Sequence, residues 1–233
     1  GWREALVILA LVTLAVAATI LAFVRNPPHP EGSQARGSLG DLLRVRALWP
    51  ILPLLGVTYA ASACIRGLWA GPYLAETFGA SDYVIGWVTL GMGLAMVTAN
   101  LSVGRVVRLI GSDKRTSIAN NLLLGAVLAA LWLTSGMNLW VSAVLLVMVC
   151  ISDSSYSLMM SHGRAFLPHH LVGRGITFMN MISIAGVGVM QFLSRPVYLA
   201  ASANHAAPVA YGYIFLFFLL PLTIGWFIYL FSP

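Results

Sequence analysis

Two groups of residues in this sequence have the types and spacing to do chemistry, and both lie inside long apolar runs. The first is Tyr59, Ser62, Arg66, Trp69 and Tyr73, which recur at i, i+3, i+7, i+10 and i+14 and so share one face of a helix. A fixed cation set among aromatic rings can hold an anionic or aromatic solute through charge and stacking. The second is Asp153 with Ser157 and Ser161, at i, i+4 and i+8 of a later run. A carboxylate in low-dielectric surroundings holds its proton more tightly than in water, so Asp153 can load and release one near neutral pH. Ser157, one turn on, would share that proton-coupling step. A third run places Asn180, Val187, Gln191 and Arg195 on one face. Asn180 and Gln191 are candidate solute contacts. Arg195 precedes Pro196 near the run's end, which suits snorkelling to the interface.

Each group also has a plain structural reading. Arg66 can be paired with a carboxylate or carbonyl and capped by its own aromatics, and Asp153 can be locked by an ion pair or by serine hydroxyls. An ion inside a bilayer is costly enough to make it a functional candidate by default. The two are not expected to pair directly. Arg66 lies 17 residues past Trp49, about 25 Å along a straight helix, and Asp153 lies 13 past Trp140, about 20 Å from the opposite side. In a core about 30 Å thick those depths do not coincide.

Other chemistries find no support. No P-loop, GxSxG, HExxH or paired-carboxylate pattern is present, so the chain is not read as an enzyme. Cys64 and Cys150 lie in apolar runs without CxxC or Cys/His ligand spacing and read as buried thiols. Met92 with Met96, and Met159-Met160 before His162, could hand on a cuprous ion, but methionine is more often a core filler. Neither a metal nor a cofactor is expected.

The elements that must position these residues are membrane helices. Hydrophobic residues make up 59% of the 233 and charged residues 9%, and the mean hydropathy is +0.88. Soluble domains run to about 25% charged residues. A surface this poor in charge must meet lipid. Apolar spans are expected over residues 4–24, 47–78, 83–104, 116–135, 138–161, 175–200 and 208–231, an all-α bundle of seven transmembrane helices. No stretch alternates as a membrane β-barrel does. Pro50, Pro53 and Pro72 in the long run 47–78 predict a tilt or kink. Asn100, Asn120 and Asn121, within spans, are expected to hydrogen bond across helices, and Ala185, Gly186 and Gly188 to admit a close neighbour.

The net charge of +6 is no nucleic-acid signal, because the basic residues alternate between loops. Arg25, Arg36, Arg44 and Arg46 precede the second span. Arg105, Arg108, Lys114 and Arg115 surround the loop near 105–115. Arg164 and Arg174, with His162, His169 and His170, surround the loop near 162–174. The alternate loops near 79–82, 136–138 and 201–207 hold no Lys or Arg. By the positive-inside rule the basic loops face the cytoplasm, Gly1 lies outside and Pro233 inside. Gly1 reads as an internal cut or a processed start.

These features together resemble the C-terminal half of a major facilitator superfamily transporter, extended by the last helix of the N-terminal half. The first span, opened by Gly1-Trp2-Arg3-Glu4 and closed by Arg25-Asn26-Pro27-Pro28, is similar to the family's sixth helix. The segment Arg66-Gly67-Leu68-Trp69-Ala70-Gly71-Pro72-Tyr73 resembles its seventh. Gly104-Arg105, Arg108, Gly111 and Lys114-Arg115 stand where the family has a Gly-xxx-Asp-Arg-x-Gly-Arg-Arg-like loop, with Arg108 in the acidic position and Leu109 in the basic one. The resemblance implies residues 1–26 as the last helix of the N-terminal half, 27–46 as a cytoplasmic linker and 47–233 as a six-helix bundle. It implies that 47–78 and 138–161 line a central cavity. It further implies alternating access between two halves, so that this chain would need the N-terminal half, in the same parent chain or as a partner subunit.

The expectation from sequence is therefore secondary active transport of a small solute, proton-coupled, in a bacterial inner membrane, with the lipid bilayer, the solute and the N-terminal half as partners. A multidrug-type exporter of apolar compounds is the nearest alternative. A non-transporting assembly or partner-binding membrane module is the alternative of another class.

Overall fold

The computed structural model describes residues 2–25 and 39–233. The chain divides into two units, Gly1–Arg36 and Gly37–Pro233. Asn26, Pro27, Pro28, Arg36 and most of the expected linker lie outside the described residues. In the first unit, α1 (Trp2–Phe23) exposes every described side chain. Its threonines turn their hydroxyls onto their own helix, Thr13 to the Leu9 carbonyl and Thr19 to the Ala15 carbonyl, each at 2.8 Å. That leaves an apolar cylinder suited to lipid.

The second unit opens with a short helix, α2 (Leu39–Leu43), and a 3₁₀ turn over Arg46–Leu48. Six spans follow. The first runs as α3 (Leu52–Cys64), a π-helical turn (Ile65–Trp69) and α4 (Ala70–Phe78). Pro72 accounts for the interruption. Its ring would strike the carbonyl of Leu68 in a regular helix, and it has no N–H to offer, so the turn before it is loosened. Then come α5 (Asp82–Ile110) and α6 (Asp113–Leu133). The next span is broken into α7 (Leu139–Ile151) and α8 (Ser154–Arg164), and α9 (Val172–Ser202) and α10 (Ala207–Leu230) complete the unit. Among the described residues seven helices are long and apolar enough to cross a membrane, and there is no strand.

The helix ends explain why the elements outrun the apolar windows. Ser81, Ser112 and Asn138 accept backbone N–H bonds at the starts of α5, α6 and α7. Gly79 and Gly111 close α4 and α5 with φ of 63° and 80°, which a side chain would resist. Arg105 and Arg108, expected in a loop, therefore lie on the last turns of α5, and Lys114 and Arg115 on the first turn of α6. Helix continues until a cap stops it, not until hydropathy falls.

α3 makes its most extensive contact with α9, α10 packs on α6 and α3, and α5 packs on α7. Small residues set the closest seams. Gly186 of α9 lies directly against the Gly56 backbone of α3, and Gly225 of α10 meets the Leu54 backbone. Gly188, by contrast, has open space beside it.

Candidate functional site

Asp153 stands at the break between α7 and α8. The run Ser152-Asp153-Ser154-Ser155 is made of short polar residues that compete with the helix for its own backbone bonds. The backbone tightens there into three-residue turns, with Ser152 N–H on the Val149 carbonyl at 3.2 Å and Asp153 N–H on the Cys150 carbonyl at 3.3 Å. Asp153 is 4% exposed. Its Oδ1 accepts a short hydrogen bond from the Ser62 hydroxyl of α3, and its Oδ2 is buried with no protein partner among the described residues.

Ser62 lies one turn before Arg66, the second residue of the π-helical turn. The Arg66 guanidinium is close enough to act electrostatically on Asp153 and Cys150, yet the two form no ion pair among the described residues, and Arg66 Nε is itself buried without a partner. The expected gap in depth is therefore corrected to about one helical turn. The depth count treated Trp49 and Trp140 as membrane edges and both helices as straight. In the structure the spans run over Arg46–Phe78 and Leu139–Arg164, and each is interrupted where its charge lies.

Next to this pair is a second small network. Tyr59 stacks on Tyr156 with ring centroids 5.5 Å apart, and the Tyr156 hydroxyl donates to Asn180 Oδ1 at 2.8 Å. Tyr59, Ser62, Arg66, Asp153 and Asn180 are thus linked through Tyr156. That residue escaped the sequence reading, although it stands three residues past Asp153, the helical spacing that would have flagged it.

Other expected members do not join. Trp69 and Tyr73 are 6% and 0% exposed. Trp69 Nε1 donates to Ser194 of α9 at 3.0 Å, and its ring meets Tyr198 and Tyr211. Tyr73 bonds Ser142 of α7 at 2.9 Å and packs on Tyr211 and Phe215. They are packed core. The physical reason is the π turn, whose extra residue rotates everything after it by about 100° relative to a regular helix. Ser157 is likewise parted from Asp153 by the α7–α8 break: it is exposed and bonds Asn100 of α5 at 3.2 Å, while Ser161 bonds Asp113 at 2.6 Å. Gln191 is exposed on α9, and its carbonyl accepts from the Ser194 hydroxyl at 2.8 Å. Asn120 and Asn121 do bond across helices, to the Ser152–Ser155 turn and to Thr58. Of the described residues no three His, Cys, Asp or Glu side chains are gathered as a metal would need.

A bundle of apolar spans, with an arginine and an aspartate at facing helix breaks, is the architecture of a transport protein's core. The model of the Major Facilitator Superfamily matches residues 1–190. The chain belongs to the Major Facilitator Superfamily. It is a membrane transport protein, all-α and integral to the bilayer. Among curated proteins none matches the chain. The match to the superfamily runs from α1 into α9, and so includes both helix breaks and every residue of the Arg66–Asp153 site except Gln191 of those weighed above.

Proposed function

We propose that this chain is the C-terminal portion of a secondary transporter that moves a small solute by alternating access and couples the movement to protons. Residues 1–26 are then the last helix of the N-terminal half, 27–46 the linker and 47–233 the C-terminal bundle. Gly1 lies outside, Pro233 lies in the cytoplasm, and the membrane is a bacterial inner membrane. Tyr59, Ser62, Arg66 and Asn180 contact the solute, and Asp153 carries the proton.

One observation carries this reading. Asp153 Oδ2 and Arg66 Nε are both buried and both without a protein partner, within electrostatic reach of each other. A structural ion pair gains its stability by satisfying such atoms, and a buried charge left unsatisfied costs several kcal/mol. Two opposite charges held near each other but unpaired fit a site whose remaining partners, a proton and a solute, come and go.

The test is flux. The chain, assembled with the N-terminal half, is reconstituted in vesicles containing a pH-sensitive dye and challenged with small carboxylates, amino acids and cationic drugs. A small anionic or zwitterionic solute is expected to move protons. Arg66→Ala should abolish that response, and Asp153→Asn should abolish proton movement while leaving solute exchange. Proton movement that survives Asp153→Asn would refute the assignment. No flux of any solute by the assembled protein would favour the non-transporting module.

A second reading rests on a different feature. A mostly apolar groove of about 510 Å³ lies along α5, α6 and α7 and ends at Asn120 and Ser154. It suits an apolar compound arriving from lipid, as multidrug-type efflux requires. Apolar cations as the best substrates, with Arg66→Ala silent, would move that reading ahead.

A further inference from the structure

The transport reading leaves unexplained why α6, a span without a charge beyond its first turn, spends two adjacent asparagines on the α7–α8 break. Asn120 directs its amide nitrogen to the Ser152 carbonyl at 3.2 Å, to Ser154 Oγ at 3.1 Å and to Ser155 Oγ at 2.8 Å. These acceptors flank Asp153 on both sides. The carbonyl can only accept, which fixes the nitrogen as the atom facing the turn. An amide has two hydrogens for three acceptors, so the contacts share them. Asn121 adds the second half of the bracket: its amide nitrogen reaches the Ser117 carbonyl at 2.9 Å and Ser155 Oγ at 3.2 Å, and its oxygen accepts from Thr58 of α3 at 2.6 Å. Thr58 is one turn before Ser62, the residue that bonds Asp153. The bracket thus closes a ring from α6 to the Asp153 turn, across to Ser62, down α3 to Thr58 and back to α6.

We infer that Asn120, with Asn121 behind it, is a positioning residue: it holds the Ser152–Asp153 turn in place, and through that turn it sets the accessibility and proton exchange of the Asp153 carboxylate. The proton-exchange part rests on the transport reading above, and the positioning part does not. Helix-breaking backbone within a membrane is tolerated where protein groups satisfy its freed polar atoms, and Asn120 does this for Ser152. Among the described groups that bear on Asp153, the charged one is Arg66 of the π turn, and the titratable ones are Cys150 of α7 and the Tyr59–Tyr156 pair. α6 and α9 face the break with the uncharged Asn120, Asn121 and Asn180. Asn120 therefore acts by geometry and not by charge.

The experiment is modification of Asp153 in the whole chain by a hydrophobic carbodiimide, which reacts with protonated carboxyls, read by peptide mass mapping from about pH 5 to about pH 9. Asn120→Leu keeps the side-chain shape and removes the donors. Its labelling rate at fixed pH should rise by about tenfold, the factor that 1.4 kcal/mol of local opening gives, and its pH midpoint should move by at least about one unit. Asn120→Gln, which keeps the amide donors, should restore both toward wild type. Asn120→Ala serves as the second variant if Asn120→Leu does not purify as a folded protein. A labelling rate within about twofold of wild type in a folded Asn120→Leu protein overturns the positioning role. Labelling of the wild type that is flat with pH overturns the proton-carrier reading instead, while the rate ratio between variants still decides the role of Asn120.

Discussion

Replacing Gly186 by alanine adds one methyl group where the α3–α9 seam has no room for it. A Cβ at that position falls on the carbonyl of Gly56. The obstacle is backbone, so no side chain can swing aside and the two helices must part. Overpacking of this kind costs about 3 kcal/mol, the upper end of the usual range. Alanine returns about 1 kcal/mol of helix propensity. The net loss is about 2 kcal/mol, which lowers the melting temperature by about 4–8 °C in a chain of this size. Gly188→Ala is the internal control, because nothing lies within 4 Å of its Cβ position, and it should melt no lower than wild type. Tryptophan fluorescence on heating in detergent reads the shift. Cys64 provides a local reading: it is 0% exposed and its Sγ rests 3.6 Å from the Val187 carbonyl, next to Gly186. A thiol reagent should therefore reach Cys64 in Gly186→Ala and not in Gly188→Ala. Equal melting of the two variants, or a Cys64 still shielded in Gly186→Ala, would refute the claim that Gly186 sets the seam.

Two further outcomes are expected. Trp69→Phe removes the 3.0 Å bond to Ser194 and should cost about 1 kcal/mol of stability while leaving solute affinity unchanged, measured by solute-induced stabilisation; a large affinity loss would return Trp69 to the binding face. Asn138→Ala removes the acceptor for the Trp140 and Val141 N–H groups at 2.8 and 3.2 Å, so it should lower the melting temperature by about 2–4 °C, the effect of losing a cap worth about 1 kcal/mol, and no change would show that the start of α7 is held by other contacts.

The bundle was legible in the sequence because hydropathy over twenty residues reports the membrane directly. Arg66 and Asp153 were legible because an ion in an apolar run is conspicuous whatever its geometry. The grouping around them was legible only as far as the helices stay regular. Tyr59, Ser62 and Arg66 precede or begin the π turn, and the first two of these meet α8 as the helical net predicts. Trp69 and Tyr73 follow the turn and face other helices. Pro72 gave notice of an interruption but not of its type, and a kink, a tilt and an added residue move later side chains differently. The Ser152–Ser155 run had the same ambiguity. Its serines are good helix breakers in water, but whether they break this helix depends on Asn120, which lies 32 residues earlier in the chain and waits on α6 to bond the freed carbonyl.

The two interruptions matter together more than singly. A regular helix resists bending because every backbone bond is made, whereas a π turn and a three-residue turn each leave the backbone a second arrangement close in energy. Here the two lie opposite each other and are joined by the bond from Ser62 to Asp153. Whatever competes for the Asp153 carboxylate therefore acts on the backbone of α7–α8 directly, and on the Ile65–Trp69 turn through a hydroxyl one turn away. Had Arg66 and Asp153 been placed only for stability, straight helices and a closed ion pair would serve better, with no buried atom left unpartnered. The unpartnered Arg66 Nε and Asp153 Oδ2 are the places where a proton and a solute can shift the balance between two backbone arrangements.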